Sequence, residues 1–297
     1  MTNCPFCKSE DVGVNKRPNK YLCRACGKYF TVLQMRPINL ANPSEVSLDP
    51  LSKLDITLDT PKKDRIGIVP IGDIHVGSGQ CDWDKVLREL NYILDTPDIY
   101  LLGMGDYCDM ASKMVRKGPC VFDSTLSPMQ QYEKIYNAFK PLAEQGKILG
   151  LLRGNHEEWI HEDSGIDIVS LLCRELKVPY LGSACDLVIN VNAQRYAGYI
   201  LHGNSNAKTS SSKLVSLLNI TKDIYANFFI MGHVHQIAVA KTSKRIDGKE
   251  IKCYYVTSGH FLKFEGGYAQ TFGLSASPTG TAKLMLFADR FDIHVSV

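Results

Sequence analysis

The sequence lacks the long apolar segments that mark a membrane protein. No apolar stretch approaches the roughly 18 residues of a transmembrane helix, and the amino terminus lacks the charged-then-apolar order of a secretory signal. No internal repeat or low-complexity tract is evident. We therefore expect a cytoplasmic protein with no membrane partner.

The sequence also lacks a disulfide pattern after its first 36 residues. It has ten cysteines, but the six at positions 81, 108, 120, 173, 185 and 253 show no pairing pattern. A chain of 297 residues can bury a large core without cross-links, so a disulfide scaffold is excluded. We predict that these six cysteines are reduced.

The other four cysteines form a compact motif. "CPFC" and "CRAC" place Cys4, Cys7, Cys23 and Cys26 in a C-x2-C-x15-C-x2-C pattern, the spacing of a closed four-thiolate zinc site. A module of about 30 residues has too small a core to fold without its metal. We therefore predict a zinc ribbon over residues 1–36 that holds one structural zinc.

Positive charge is concentrated in this ribbon. The whole chain has a net charge of +3, whereas residues 1–36 contain seven Lys or Arg against two acids and the remaining residues sum to −2. Basic residues beside Tyr21, Tyr29 and Phe30 are typical of a surface that contacts DNA or RNA. The alternative is a ribbon that docks on a protein partner, and the sequence leaves both open.

Residues 37–64 separate the ribbon from the rest of the chain. They include four prolines and sustain no helical or strand period, which indicates a linker with some packed parts. The remaining segment, 65–297, is long enough for one large domain.

Five apolar, strand-like runs in this domain end in residues that can bind metals. They are "RIGIVPIGDIHVG" with Asp73 and His75, "DIYLLGMGDYCDM" with Asp106 and Asp109, "KILGLLRGNHEE" with Asn155 and His156, "RYAGYILHGNSN" with His202, and "NFFIMGHVHQ" with His233 and His235. Open α/β sheets keep their reactive groups where strands end, so these runs indicate one site. The third run alone is ambiguous, because Asn155 followed by Glu157 and Glu158 is also typical of a helix start.

These blocks, in this order, resemble the signature of the calcineurin-like metallophosphoesterases. That family carries D-x-H, GD-x-x-D, GNH, a single His and GH-x-H, and this chain has "GDIHVG", "GDYCDM", "GNHEE", "HGN" and "GHVH". The stretch "SGHFLKFEGGYA" resembles members carried by bacteriophages, for which the location is the host cytoplasm. The resemblance implies a two-sheet α/β/β/α sandwich. Alternating strands and helices after residue 65, followed by further strands, agree with that fold.

Carried over block by block, the resemblance implies two divalent metals in the active site. One metal would be held by Asp73, His75 and His235, and the other by Asn155, His202 and His233, with Asp106 bridging the pair. Carboxylate and imidazole ligands of this kind suit manganese, iron or zinc.

The resemblance also implies roles outside the metal shell. His156 is expected to protonate the leaving oxygen or to stabilise the phosphoryl group, and Asp109 to orient a ligand as a hydrogen-bond acceptor. Arg153 is a candidate for phosphate contact, with an inward structural ion pair as the equal alternative. His260, which follows a strand on the site side, is a candidate for a structural or a substrate-facing histidine.

The substrate does not follow from the resemblance alone. "LLRGNHE" and "GDYCD" are similar to the protein phosphatases, but those carry an arginine where Met110 stands here, and they lack GH-x-H. We therefore expect a phosphodiesterase or nuclease whose ribbon recruits DNA or RNA. The alternative is a phosphomonoesterase, or a phosphatase acting on a protein or nucleotide, with the ribbon as a protein-docking module.

Overall fold

A computed structural model describes most of the chain. The described residues are 9–14, 20–26, 29–31, 51–60, 64–110, 124–205, 207, 209–246, 248–265, 270 and 276–297. Cys4 and Cys7 of the predicted zinc site lie outside them.

Fifteen strands and five helices are assigned in these residues. The strands are β1 Val12–Val14, β2 Lys20–Cys23, β3 Tyr29–Thr31, β4 Ser52–Leu58, β5 Arg65–Ile71, β6 Ile99–Gly103, β7 Ile148–Leu151, β8 Ala184–Val191, β9 Gln194–Leu201, β10 Phe228–Met231, β11 Ile237–Ile246, β12 Lys249–His260, β13 Gly280–Thr281, β14 Lys283–Phe287 and β15 Ile293–Ser296. The helices are α1 Trp83–Asp95, α2 Pro128–Glu144, α3 Asn155–Ser164, α4 Ile168–Leu176 and α5 Ser210–Ile220.

Two mixed sheets face each other across the main core. One has the order β15-β14-β5-β6-β7, and the other has the order β11-β12-β10-β9-β8-β4, with β13 paired to β12. The apolar side chains between them include Ile68, Leu102, Ile200 and Ile230, all fully buried. The sheets therefore pack face to face as the inner layers of a sandwich.

Helices cover the outer faces of both sheets. The apolar stripes of α1, α2 and α4 pack on the outer face of the first sheet, and α5 packs on that of the second. Local signals fix where the helices begin: Asp82 accepts a hydrogen bond from the Lys85 N–H, and Ser127 forms a capping box with Gln130 ahead of α2. The predicted two-sheet α/β/β/α architecture is confirmed.

Part of the segment predicted as a linker is an integral strand. Ser52–Leu58 pairs in parallel with Ala184–Val191 along its whole length and forms an edge of the second sheet. Ile56 and Leu58 enter the core between the sheets. This strand is a packed part of the 37–64 segment, and it belongs structurally to the large domain.

The described part of the amino-terminal module is a three-stranded antiparallel sheet in the order β1-β2-β3. Cys23 ends β2 and is buried, and Cys26 lies in the turn that follows. Zinc binding by the four cysteines stays a prediction. None of the described helices combines the length and apolar character that crossing a bilayer requires.

Candidate metal centre

The predicted metal ligands come together at the carboxyl ends of two sets of parallel strands. In the first sheet β5, β6 and β7 run in parallel, and in the second β9, β10 and β12 do the same. The loops after five of these strands carry Asp73 and His75, Asp106, Asn155, His202, and His233 with His235. The two sheets thus contribute opposite halves of one site.

The chain turns sharply as it leaves these strands. Nine residues other than glycine have a positive φ in the described chain, and five of them are predicted metal ligands: Asp73, His75, Asp106, His233 and His235. Such backbone conformations are costly for side chains with a Cβ and cluster at functional sites. The fold therefore sustains local strain to aim these side chains into one centre.

The first ligand group consists of Asp73, His75 and His235. One donor atom from each lies within 4.8 Å of the other two. The Nε2 atoms of His75 and His235 are only 3.1 Å apart, and Nε2 of His235 lies 3.2 Å from Oδ1 of Asp73. Two imidazole nitrogens and a carboxylate that converge in this way fit a divalent transition metal.

The second ligand group consists of Asp106, His202 and His233, with Asn155 beside them. The Oδ1 atom of Asn155 lies 3.0 Å from Nε2 of His202 and 2.7 Å from Nδ1 of His233. His202 donates through Nδ1–H to the carbonyl of Met104 at 2.7 Å, so Nε2 is the ring atom that faces the site and would bind a metal in place of a proton. This donor set fits a second divalent cation.

Asp106 lies between the two groups. Its Oδ2 atom is 3.3 Å from Nε2 of His202 and 3.8 Å from Nε2 of His75. Its carboxylate is buried, and its other oxygen accepts a 2.9 Å hydrogen bond from the backbone N–H of His156. Asp106 therefore lies near one histidine of each group, and its role as a bridging ligand stays a prediction.

Electrostatics hold Asp106 in its charged form. Burial opposes ionisation, but His202 and His156 outweigh it and keep the pKa of Asp106 well below its usual range. Burial likewise opposes the charged form of His202, but Asp106 raises the pKa of His202 to about 10. Burial lowers the pKa of His75, and nearby His156 lowers it further. The centre thus combines the charged carboxylate of Asp106 with a strongly basic imidazole, His202, and a weakly basic one, His75.

His156 lies beside the metal ligands with a different set of contacts. Its ring centroid is 4.4 Å from that of His75, and its Nδ1–H donates a 2.6 Å hydrogen bond to the backbone carbonyl of Asp109. The Oδ1 atom of Asp109 lies 3.8 Å from Nδ1 of both histidines. Asp109 therefore lies near the metal ligand His75 as well as His156, and its expected role of orienting a ligand stays a prediction.

Glu157 helps to position the Asp106 loop, a role that its place in the sequence does not indicate. It lies in the first turn of α3 and accepts a hydrogen bond from the Gly154 N–H, so the predicted helix start is confirmed, although Gly154 and not Asn155 is the N-cap residue. The same buried carboxylate also accepts 3.0 Å hydrogen bonds from the backbone N–H groups of Asp106 and Cys108. Burial and the Asp106 carboxylate raise the pKa of Glu157 to about 7. No local sequence signal indicates these contacts.

Two glycines allow the Asp106 and Asn155 loops to touch. A Cβ on Gly154 would lie 2.2 Å from the backbone nitrogen of Asp106, and one on Gly105 would lie 2.6 Å from the nitrogen of Gly154. Gly105 also has a φ of +88°. The glycines in "GD" and "GNH" are therefore required by close backbone contact.

Arg153 is engaged in ion pairs. Its guanidinium contacts the carboxylate of Glu158 and lies 3.0 Å from Oδ2 of Asp167, which also accepts a hydrogen bond from the Tyr180 hydroxyl. The Arg153 side chain is only 11% exposed. The structure therefore favours the ion-pair alternative for Arg153, because two carboxylates already neutralise it.

His260 lies next to the first ligand group. Its ring stacks on that of His235 at 5.5 Å, and its Nδ1 accepts a hydrogen bond from the Leu262 N–H. It is 6% exposed. The strand that ends at His260 is thus a sixth strand that delivers a polar side chain to the edge of the site.

One protein-family model matches the chain. The model of the calcineurin-like phosphoesterase family matches residues 67–228. No curated protein matches the chain.

Among solved structures, the vacuolar protein sorting 29 protein of Cryptosporidium parvum is 15% identical, with a TM-score of 0.41, over 79% of this chain and 98% of its own. A Vps29 of Entamoeba histolytica complexed with zinc is 12% identical, with a TM-score of 0.35, over 78% and 97%. A metallophosphoesterase of Sphaerobacter thermophilus is 11% identical, with a TM-score of 0.36, over 78% and 89%.

The matched family segment covers more than half of the chain and includes the D-x-H, GD-x-x-D and GNH blocks and His202. The GH-x-H histidines follow directly after it and complete both ligand groups. The chain belongs to the calcineurin-like phosphoesterase family.

Proposed function

We propose that this protein is a dinuclear metal-dependent phosphodiesterase that acts on nucleic acid. The observation that carries the proposal is the pair of neighbouring nitrogen and oxygen ligand groups, with Asp106 near a histidine of each. Two divalent cations held there would supply an activated water and neutralise charge on the phosphoryl oxygens. The ligand types suit manganese, iron or zinc.

His156 is the residue best placed to deliver a proton to the leaving oxygen. Its Nδ1–H is engaged by the Asp109 carbonyl, so Nε2 is the ring atom left for proton transfer. The ring lies against His75, and 14% of the side chain is exposed. His156 is therefore close enough to the first ligand group to protonate a leaving oxygen bound at its edge.

The absence of an arginine at position 110 supports a diester substrate over a phosphoprotein. Met110 stands where the protein phosphatases carry that residue, and its side chain is buried in the core while its N–H donates to Gln131. A phosphate monoester carries more negative charge than a diester and gains more from a guanidinium. Arg153 does not take that place, because Glu158 and Asp167 bind it.

The charge of the ribbon supports a polyanionic substrate. Its excess of Lys and Arg contrasts with the slightly acidic remainder of the chain, so a nucleic acid would be drawn to the amino end. Arg24 in the turn after β2 lies 3.6 Å from a carboxylate oxygen of Asp11 but keeps 69% of its side chain exposed. A ribbon that docks on a protein is the second candidate, and it would leave the catalytic domain free to act on a small phosphoester.

An activity screen tests the reaction class. The metal-loaded protein would be assayed against single-stranded DNA, duplex DNA, RNA, a cyclic nucleotide, an aryl phosphomonoester and a phosphopeptide. We expect hydrolysis of the diester substrates, with at least one nucleic acid among the best. Preference for the monoester or the phosphopeptide would contradict the proposal.

Removal of residues 1–36 tests the role of the ribbon. We expect the truncated enzyme to hydrolyse a small aryl diester as before but to lose affinity for DNA or RNA. Binding by the full chain should weaken with salt, with a log–log slope of about −0.7 to −0.9 per neutralised phosphate, and the truncated form should show a shallower slope. Unchanged polymer binding and salt dependence would instead favour the protein-docking ribbon.

A further inference from the structure

A row of aromatic rings crosses the candidate site and ends at Trp159. Successive ring centroids are 5.5 Å apart for His260 and His235, 5.0 Å for His235 and His75, 4.4 Å for His75 and His156, and 4.0 Å for His156 and Trp159. The indole is tilted by 36° to the His156 ring. Trp159 therefore continues the site beyond the expected proton donor.

The helix geometry places Trp159 on the same face as the functional residues. At 100° per residue, Trp159 lies between Asn155 and His156 around the axis of α3 and one turn further along. The next residue, Ile160, packs against the hydrophobic core, whereas none of the three core clusters found in the described residues includes Trp159. The core therefore does not account for this side chain.

An indole at this place is unusual for the helix that carries it. Helix α3 is otherwise mostly polar, with the sequence "NHEEWIHEDS", and Trp159 remains partly open to solvent. A partly exposed tryptophan offers a flat apolar surface on which a nucleobase can stack, whatever the base. Its contact with His156 places that surface beside the path of a departing leaving group.

We propose that Trp159 determines specificity by stacking with a nucleobase on the leaving-group side of the scissile phosphodiester. This inference rests on the proposed function and adds a substrate feature to it: a ring next to the bond that is cleaved. The simpler possibility is that Trp159 only positions the His156 ring. The two roles predict different results: a residue that only positions His156 affects base-bearing and abasic substrates with the same leaving group equally, whereas a stacking surface affects only the substrates that carry the base.

Matched dinucleotides separate these roles. Each substrate would carry either a base or an abasic sugar on one side of the phosphodiester, in both polarities, and kcat/KM would be measured for each. In Trp159→Leu the ratio between base-bearing and abasic substrates should fall by about 5- to 150-fold in one polarity, the range expected for one stacked base. Trp159→Phe should retain much of the ratio, and so should Trp83→Phe, which alters the other tryptophan of the chain on α1. Equal losses on both substrates, or no loss, would overturn the proposal.

Fluorescence provides a readout that does not depend on turnover. In the Trp83→Phe variant, all tryptophan emission comes from Trp159. We expect a nucleoside monophosphate to quench it and ribose 5-phosphate to leave it nearly unchanged. Equal responses to the two ligands would contradict stacking. If the parent protein fails to cleave diesters but this difference persists, the proposed reaction is wrong while the base-stacking surface stands.

Discussion

The backbone N–H of Asp106 donates a 3.0 Å hydrogen bond to the buried carboxylate of Glu157, 51 residues further along the chain. The same carboxylate accepts hydrogen bonds from the N–H groups of Cys108 and Gly154, so it joins the Asp106 loop to the Asn155 loop. The relative position of Asp106 and Asn155 thus depends on a residue that belongs to neither ligand group.

Glu157→Gln should therefore weaken metal binding. An amide offers one acceptor oxygen in place of two, so at least one buried backbone N–H loses its partner. At about pH 8, above the raised pKa of Glu157, we expect a 10- to 100-fold loss of active-site metal affinity, typical of a lost outer-shell contact. Metal titration followed by elemental analysis measures this. The exposed Glu162→Gln on the same helix is the control, and equal affinities in the two variants would show that Glu157 is not needed.

Asp106→Asn should remove the shared ligand itself. A neutral amide at this position no longer offsets the charge of two cations, so occupancy of the pair should fall and hydrolysis of an aryl diester should be abolished. Elemental analysis of the parent should give three ions, one of them the ribbon zinc. The exposed Asp95→Asn should behave as the parent does. Two retained active-site metals with near-normal turnover would disprove the bridging assignment.

His156→Ala should separate proton donation from metal binding. Because His156 lies in neither ligand group proposed to hold the two cations, we expect both metals to stay bound while the rate falls on the order of 10²- to 10⁴-fold. The loss should shrink for aryl diesters with very acidic leaving groups, which need no proton. His161→Ala, on the same helix with a 41% exposed side chain, is the control. A uniform loss across the series would leave His156 with phosphate positioning only.

Tyr100 on β6 should make the fold sensitive to alkali. Burial, then the nearby Asp98 and Asp59, raise the pKa of Tyr100 to about 12 from an ordinary value of 10. As the pH rises, the phenol of Tyr100 ionises in the unfolded chain before it ionises in the folded protein. The contribution of Tyr100 to the free energy of unfolding is therefore fully present below pH 10 and is lost as the pH rises towards 12. This decline amounts to about 3 kcal/mol.

Denaturant unfolding of Tyr100→Phe tests this expectation. The variant should lack that part of the alkaline loss, whereas Tyr225→Phe, at a tyrosine that is 72% exposed, should show the parent's full decline. Parallel pH profiles for the parent and Tyr100→Phe would show that Tyr100 ionises as readily in the folded protein as in the unfolded chain.

The order of structural elements and the approximate position of the site were already predictable from the sequence. Each buried strand is visible in the sequence as an apolar run. The residues directly after the run, such as Asp73 after β5, can therefore be assigned to the end of the strand from the local sequence alone. The helix starts at Ser127 and Asn155 are equally local. The order of the family blocks then allowed the ligands to be divided between two metals.

The contacts between residues that are far apart in the sequence became known only from the tertiary structure. The strand Ser52–Leu58 was predicted within a linker, because its pairing partner lies more than 130 residues away. The ion pair of Arg153 with Asp167, and the hydrogen bonds that the Asp106 loop donates to Glu157, also arise only once separate segments pack. The contact of Trp159 with His156 is local along α3, but its importance follows from the place of α3 at the metal centre. A short stretch of sequence specifies which groups a loop carries, whereas the packing of the two sheets determines which groups meet.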